Sequence, residues 1–151
     1  MTKTLDYSEF KEQQRQELNE FTKKNCVWAF GEQQYKEMLE RINMTEEQFK
    51  EAYTGFPGGG AILKTAVQDW YDLCKRQETE LATVMRNDVN FAKQAFRYEF
   101  SNYECGISMR YDEARSALGL TLDEINQDET LLTAYKQAKK EYEDWCMDNV
   151  W

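Results

Sequence analysis

The stretch that decides the fold is ETLLTAYKQAKKEYEDWCMDN, residues 129–149. A series of its apolar residues recurs at a spacing of 4-3-4-3, and its members are Leu131, Tyr135, Ala138, Tyr142 and Trp145. A repeat close to 3.6 residues places these side chains along one side of an α-helix. No glycine or proline interrupts the stretch. The pattern therefore predicts a long last helix that packs through an apolar seam.

The rest of the chain also favours helices, because it has a single proline, Pro57, and seven glycines among 151 residues. Capping signals and apolar spacing predict further helices over residues 9–25 (with Ser8 as the cap), 32–42, 65–86, 88–104 and 111–118, and capping boxes mark two more helix starts at Thr45 and Thr121. Short β-branched or aromatic runs at residues 26–30, 61–64 and 105–109 allow a minor sheet of two or three strands. We expect one mainly α-helical domain over residues 1–151, of the α+β type if the sheet forms.

The charge is acidic and uneven. The net charge of the chain is −9, and residues 112–151 carry four Lys or Arg against ten Asp or Glu, a net −6. Such a region disfavours direct binding to nucleic acid or to an anionic membrane, but it suits a basic groove on a partner protein. The alternative is an acidic surface that only interacts with water. The candidate partner-binding residues are Asp123, Asp128, Glu129, Glu141, Glu143, Asp144, Asp148 and the terminal Trp151, which is either an exposed anchor or a plug.

The chain contains no histidine. This excludes the usual Ser-His-Asp and Cys-His nucleophile pairs and the histidine-containing zinc and di-iron sites. The four cysteines are dispersed without a CxxC pair, and the N-terminus has no apolar signal core, which together favour reduced thiols in a cytoplasmic protein. We expect no catalytic residue, no metal, no cofactor and no membrane span. Enzymatic activity is the least favoured of the function classes.

One glycine-rich loop, residues 55–60, is the clearest loop signal in the chain. The residues Gly58, Gly59, Gly60 and Lys64 resemble the end of a phosphate-binding P-loop, but Leu63 stands where that motif needs a glycine. The alternatives are a tight turn with positive φ values, or a loop that presents Phe56 and its own backbone to a partner.

A carboxylate interrupts the most aromatic segment, residues 91–104. On a helix Glu99 shares one face with Ala92, Phe96 and Tyr103. A buried carboxylate needs a partner, and Lys64, Arg97 and Arg110 are the candidates by charge. Glu99 is then either part of a network that fixes helix register or, with Asn102 and Glu104, a group that faces a ligand.

Several of these segments resemble an uncharacterised group of small phage and prophage proteins from Gram-positive and gut bacteria. The matching pieces are FKEQQ (10–14), AFGEQ (29–33), GGGAILK (58–64), FRYEFSNYE (96–104) and ALGL (117–120). In that group a histidine commonly stands where this chain has Tyr103. The resemblance implies an accessory role in a phage or mobile element inside a bacterial host cell, and it implies no enzymatic activity.

Two function classes follow. The first is a non-enzymatic protein that binds a host protein through its acidic surface, most concretely an anti-CRISPR-like inhibitor of a nucleic-acid-binding defence protein. The second is a small-ligand or nucleotide-binding protein with its site where the loop Gly58–Gly60, Lys64 and Glu99 meet. A salt-sensitive protein complex would favour the first class, and a ligand pocket at that junction would favour the second.

Overall fold

A computed structural model describes residues 6–57 and 59–151 of the chain. The described part is mainly helical with a small antiparallel sheet, as the sequence predicts. The helices are α1 (Tyr7–Asn25), α2 (Gly31–Arg41), α3 (Glu46–Ala52), α4 (Val67–Asn87), α5 (Val89–Asn102), α6 (Cys105–Ser108), α7 (Asp112–Ala117), α8 (Leu122–Gln127) and α9 (Glu129–Asn149). The strands are β1 (Cys26–Val27), β2 (Tyr53–Gly55) and β3 (Ala61–Leu63). No helix of the described residues is both long and apolar enough to cross a membrane.

The chain divides into two compact units. The larger unit comprises Met1–Glu12 and Arg76–Trp151, and the smaller unit is Gln13–Lys75. The expectation of a single domain over residues 1–151 stays a prediction.

Helix ends follow the capping signals closely. Thr45 and Thr121 each form a complete capping box, with Gln48 and Glu124 as the reciprocal partners. The cap of α1 differs from the prediction, because the Glu9 amide donates to the side chain of Asp6 at 2.8 Å rather than to Ser8. The long helix α4 also starts later than predicted, since residues 64–66 form a 3-10 turn before it.

The sheet has the order β1-β3-β2, and both pairings are antiparallel. Strands at residues 26–27 and 61–63 agree with the prediction, but the third strand was misplaced. Residues 53–55 pair with β3 because the glycine-rich loop that follows them turns the chain back into a hairpin. The predicted strand at residues 105–109 is wrong, since Cys105–Ser108 is a helical turn.

The core of the larger unit is built mainly by α5 and α9. Phe96 and Phe100 of α5 lie edge-on to Tyr135 of α9, with ring centroids 5.1 and 5.8 Å apart. The predicted seam of α9 is buried from Leu131 to Tyr142, but its last member is Cys146 instead of Trp145, which is 47% exposed. A step of four residues from Tyr142 stays on the buried face, whereas a step of three moves the indole towards solvent.

The smaller unit has a modest core of its own. Cys26, Ile62 and Ala66 form a buried cluster there, and aromatic side chains pack around them. Phe56 lies edge-on to Trp70, with ring centroids 4.9 Å apart. This core fixes the β2–β3 hairpin and therefore the shape of the glycine-rich loop.

Candidate functional site

Glu99 is the buried carboxylate of the larger unit, and only 1% of it is exposed. Its Oε1 accepts hydrogen bonds from the Tyr7 hydroxyl and the Lys11 ammonium, both at 2.7 Å. Its Oε2 accepts a weaker bond from Asn102 Nδ2 at 3.3 Å. The predicted cations Lys64, Arg97 and Arg110 were therefore wrong, and the ion-pair partner is Lys11 of α1.

This network satisfies the charge of Glu99. The Lys11 ammonium also lies 4.6 Å from the centre of the Tyr98 ring, which adds a cation–π contact. Among the described residues no buried side-chain polar atom lacks a hydrogen-bond partner. The arrangement fits the interpretation in which Glu99 locks the first turns of α1 onto α5 in one register.

A groove of about 720 Å³ runs beside this network, between the first turn of α1 and α5. Tyr98 and Asn102 line it, but Glu99 does not. The carboxylate therefore faces the protein interior and offers no oxygen to a ligand in the groove. Glu104, the third member of the predicted ligand set, lies at the start of α6 instead.

Three tyrosines of the larger unit make its stability sensitive to alkali. Burial, together with the hydrogen bond to Glu99, raises the pKa of Tyr7 far above its ordinary value. Burial and the neighbouring carboxylate of Glu143 raise the pKa of Tyr111, and burial raises the pKa of Tyr142. The folded protein therefore keeps these phenols neutral, while the unfolded chain ionises them near pH 10.

We expect the free energy of unfolding to be unaffected by these tyrosines below about pH 10 and to fall as the pH rises beyond that value. Phenolate absorbance and far-ultraviolet circular dichroism, followed together, measure this. The buried phenols should ionise only as the helical signal is lost. A full nine-tyrosine phenolate signal in a protein that still has native circular dichroism would contradict the expectation.

The glycine-rich loop is a tight turn. Gly59 and Gly60 have φ values of 105° and 78°, and the loop closes on itself by a bond from the Phe56 amide to the Gly60 carbonyl at 3.1 Å. A Cβ on Gly60 would lie 2.5 Å from Trp28 Cδ1, so the loop lies directly on the indole. Gly58 lies outside the described residues. Phe56 is half-buried in the core of the smaller unit rather than extended from the loop.

Gly60→Ala should destabilise the protein by about 2 kcal/mol, because it adds both left-handed strain and a clash with Trp28. Denaturant unfolding followed by tryptophan fluorescence would measure the loss. Gly55→Ala is the matched control, since it has no atom within 4 Å of the new Cβ and no positive φ. Equal stability of the two variants would show that the loop does not need its close approach to Trp28.

Lys64 is exposed at the start of the 3-10 turn that follows β3. It belongs to the smaller unit together with Gly59 and Gly60, whereas Glu99 belongs to the larger unit. The predicted ligand site draws its residues from both units, and it stays a prediction.

The predicted acidic residues do not form one uniform surface. Glu141 binds Lys93 and Arg97 of α5 at 3.1 and 3.4 Å, while Asp144 binds Lys140 at 2.8 Å. Glu143 accepts a hydrogen bond from the Tyr111 hydroxyl. Residues 141 and 143 are two positions apart on a helix, so they lie on nearly opposite flanks of α9.

The remaining acidic candidates have different surroundings. Asp128 caps α9 by accepting from the Leu131 amide at 2.9 Å, so its first role is structural. Asp123, Glu129 and Asp148 are exposed. Asp148 is the one of these near the end of α9, where large apolar side chains are also exposed.

The most distinctive surface of the larger unit lies where α6 meets the end of α9. We call it the α6–α9 surface, and it consists of Ile107, Met109, Trp145, Val150 and Trp151. Each is an apolar side chain with more than two fifths of its area exposed, and Ile107 reaches 70%. The Trp151–Gly106 hydrogen bond brings the two segments together, and exposed apolar side chains on adjoining segments mark interaction sites more often than isolated ones do.

Two hydrogen bonds hold the backbone of α6 beneath this surface. The Gly106 amide donates to the Tyr142 hydroxyl at 2.9 Å, and the Gly106 carbonyl accepts from the Trp151 indole at 2.7 Å. Trp151 is therefore anchored by its polar edge while 53% of it stays exposed. Trp151 packs on α6 and is also accessible, and its role as an anchor for a partner stays a prediction.

Two strained residues flank the helical turn. Glu104 and Met109 have φ values of 50° and 61°, in the left-handed region that residues other than glycine seldom occupy. The free energy of this strain, of the order of 1–2 kcal/mol for each residue, must be offset by contacts elsewhere. Ile107, between these two residues, and Met109 itself are 70% and 64% exposed.

Sequence reasoning missed Ile107, Met109 and Trp145 as surface residues. The first two fell in a segment assigned to a strand, and the third continued the spacing of the α9 seam. The available signal was Gly106, which permits the close packing of α6 on α9. A Cβ there would lie 2.5 Å from Cys146 Sγ.

The chain matches a known protein family. A family model described as a family of unknown function (DUF7659) matches residues 6–141, which is most of the chain. The chain belongs to this family. No curated protein and no solved structure matches it.

The DUF7659 match covers the Glu99 network, the glycine-rich loop and α6. It ends before Trp145, so three members of the α6–α9 surface lie beyond it. The family description gives neither an activity nor an origin. The resemblance to phage proteins therefore stays a prediction.

Proposed function

We propose that this chain is a non-enzymatic protein-binding module whose α6–α9 surface contacts a partner protein. The observation that carries the proposal is the exposure of Ile107, Met109, Trp145, Val150 and Trp151 on two segments that hydrogen bonds join. Tryptophan and methionine are enriched in the centres of protein interfaces. A surface that is already ordered also loses little conformational entropy when it binds.

Charge specifies the kind of partner. The larger unit carries 11 Lys or Arg against 18 Asp or Glu, a net −7. Glu104 and Asp148, both exposed, belong to the segments that form the α6–α9 surface. A second copy of this chain would bring the same negative charge and be repelled, whereas an apolar pocket with a rim of Lys and Arg is complementary.

The specific form of this proposal is an anti-defence inhibitor. A bacterial protein that binds nucleic acid has a groove lined by Lys and Arg, and an acidic protein can occupy it in place of phosphate. Support comes from the net charge of −9 and from the resemblance to phage proteins. In this form the chain acts in the cytoplasm of the host cell.

Affinity capture from nuclease-treated bacterial lysate, at low and high salt, tests the proposal. The tagged wild-type protein should recover one protein in stoichiometric amount and lose it at high salt. Ile107→Asp should weaken this complex by about 100-fold, since it replaces the most exposed apolar side chain of the surface with a charge. Met147→Asp is the matched control. Met147 is 66% exposed and lies on α9, as Trp145 does, but it is about 160° around that helix from Trp145.

The outcomes separate the alternatives. Binding that survives Met147→Asp but not Ile107→Asp supports the α6–α9 surface. Capture that Ile107→Asp leaves unchanged, or no stoichiometric partner at all, contradicts the proposal. For the anti-defence form, nucleic acid added to the purified complex should compete with this chain, and simultaneous binding of both would contradict that form.

A further inference from the structure

A second feature of the larger unit is a groove between the last turns of α4 and the segment that joins α7 to α8. Its volume is about 560 Å³, within the range of cavities that hold small organic molecules. We call it the α4–α7 groove. None of the residues that line it belongs to the α6–α9 surface, so it is independent of the proposed protein interface.

The floor of the α4–α7 groove is apolar. Leu118 and Leu120 contribute to it and are only 5% and 6% exposed, because they also belong to the core. Leu81 and Ala82 of α4 form the facing wall, and Ala117 lies at the edge. Such a floor favours an aliphatic or aromatic body of a ligand over a purely polar one.

The rim of the groove favours a positive charge. Glu78 and Glu124 are the acidic groups there, and the one cation is Arg86. Arg86 is shared, since its guanidinium lies 3.5 Å from Glu124 and 4.0 Å from Asp128. The charge of Arg86 is therefore balanced by two carboxylates. Glu78 has no balancing cation among the other residues that line the groove.

The ends of two helices also favour a cation in the groove. The 21-residue α4 ends at Asn87, and α7 ends at Ala117, and both of these end residues line the groove. The C-terminal end of a helix carries a partial negative charge, which attracts cations and repels anions. Phosphate and carboxylate ligands are therefore disfavoured here.

We propose that the α4–α7 groove binds a small organic cation with an apolar body, of the alkylamine or arylalkylamine class. The hydrocarbon lies on Leu81, Leu118 and Leu120, and the ammonium group lies at the rim next to Glu78. No covalent step is involved. The proposal concerns a ligand site and does not depend on a protein partner.

Ligand-observed NMR titration with hexylamine, 1-hexanol and hexanoate tests this site on the full-length protein. Hexylamine should bind with a dissociation constant near 1 mM and at least about fivefold more tightly than hexanoate. Glu78→Gln should weaken hexylamine about threefold to fivefold, as expected for a partly exposed ion pair, and leave 1-hexanol unchanged.

Two further variants make the test specific. Ala117→Phe, at an exposed position on the edge of the groove, should block hexylamine without affecting the core. Glu80→Gln is the charge control, because Glu80 pairs with Arg76 at 2.6 Å and does not line the groove. Equal binding of hexanoate, no binding of hexylamine, or hexylamine binding that survives Ala117→Phe would overturn the proposal.

Discussion

Replacing Tyr7 with Phe and Lys11 with Met together is expected to lower the free energy of unfolding by about 4 kcal/mol. The double substitution leaves Glu99, 1% exposed, with only its 3.3 Å contact to Asn102. A buried carboxylate without a cation and with one weak donor must either be hydrated or be protonated, and both cost free energy. Denaturant unfolding at neutral pH measures the change.

Adding Glu99→Met to this double variant should restore at least half of the lost free energy of unfolding. It removes the charge whose isolation caused the destabilisation. Lys93→Met is the control for losing a lysine, because its partner Glu141 is 46% exposed and the pair contributes no more than about 0.5 kcal/mol. The structural role of Glu99 would be refuted by a double variant as stable as this control.

Gly106→Ala is expected to destabilise the protein by about 3 kcal/mol, although alanine is the better helix former. The new methyl group would lie 2.5 Å from Cys146 Sγ and 3.1 Å from the Tyr142 hydroxyl, so α6 must move off α9. That movement also breaks the bond from the Gly106 amide to Tyr142. Thermal or denaturant unfolding gives the size of the effect.

The variant Gly106→Ala/Cys146→Ala tests the cause of this loss. Removing the sulfur opens space for the new methyl, so the second substitution should cost less in the Gly106→Ala background than in the wild type. A double-mutant cycle measures that coupling, and additive effects would mean that Cys146 is not what excludes a side chain at position 106.

The sequence predicted those elements that depend on neighbouring residues. Thr45 and Thr121 each find their capping partner three residues along the chain, and the seam of α9 repeats within one helix. Such local signals need no knowledge of how helices pack. This is why most helix positions and the fold class were predicted correctly.

Elements that depend on distant contacts were not predictable in this way. The partner of Glu99 is Lys11, 88 residues away, and nothing in the spacing of either helix indicates the pairing. The helical turn α6 is fixed by Tyr142 of α9 and by Trp151 beyond the end of α9, so its short apolar sequence was read as a strand. The same long-range contacts create the exposed surface that sequence reasoning missed.

Hydrogen exchange of the complex with its captured partner tests the central claim most directly. The α6–α9 surface should be covered, so amide exchange should slow at residues 105–110 and 145–151 relative to the free protein. The hairpin at residues 53–63 in the smaller unit should exchange at its free rate. Protection confined to the smaller unit, with residues 105–110 and 145–151 unchanged, would contradict the account.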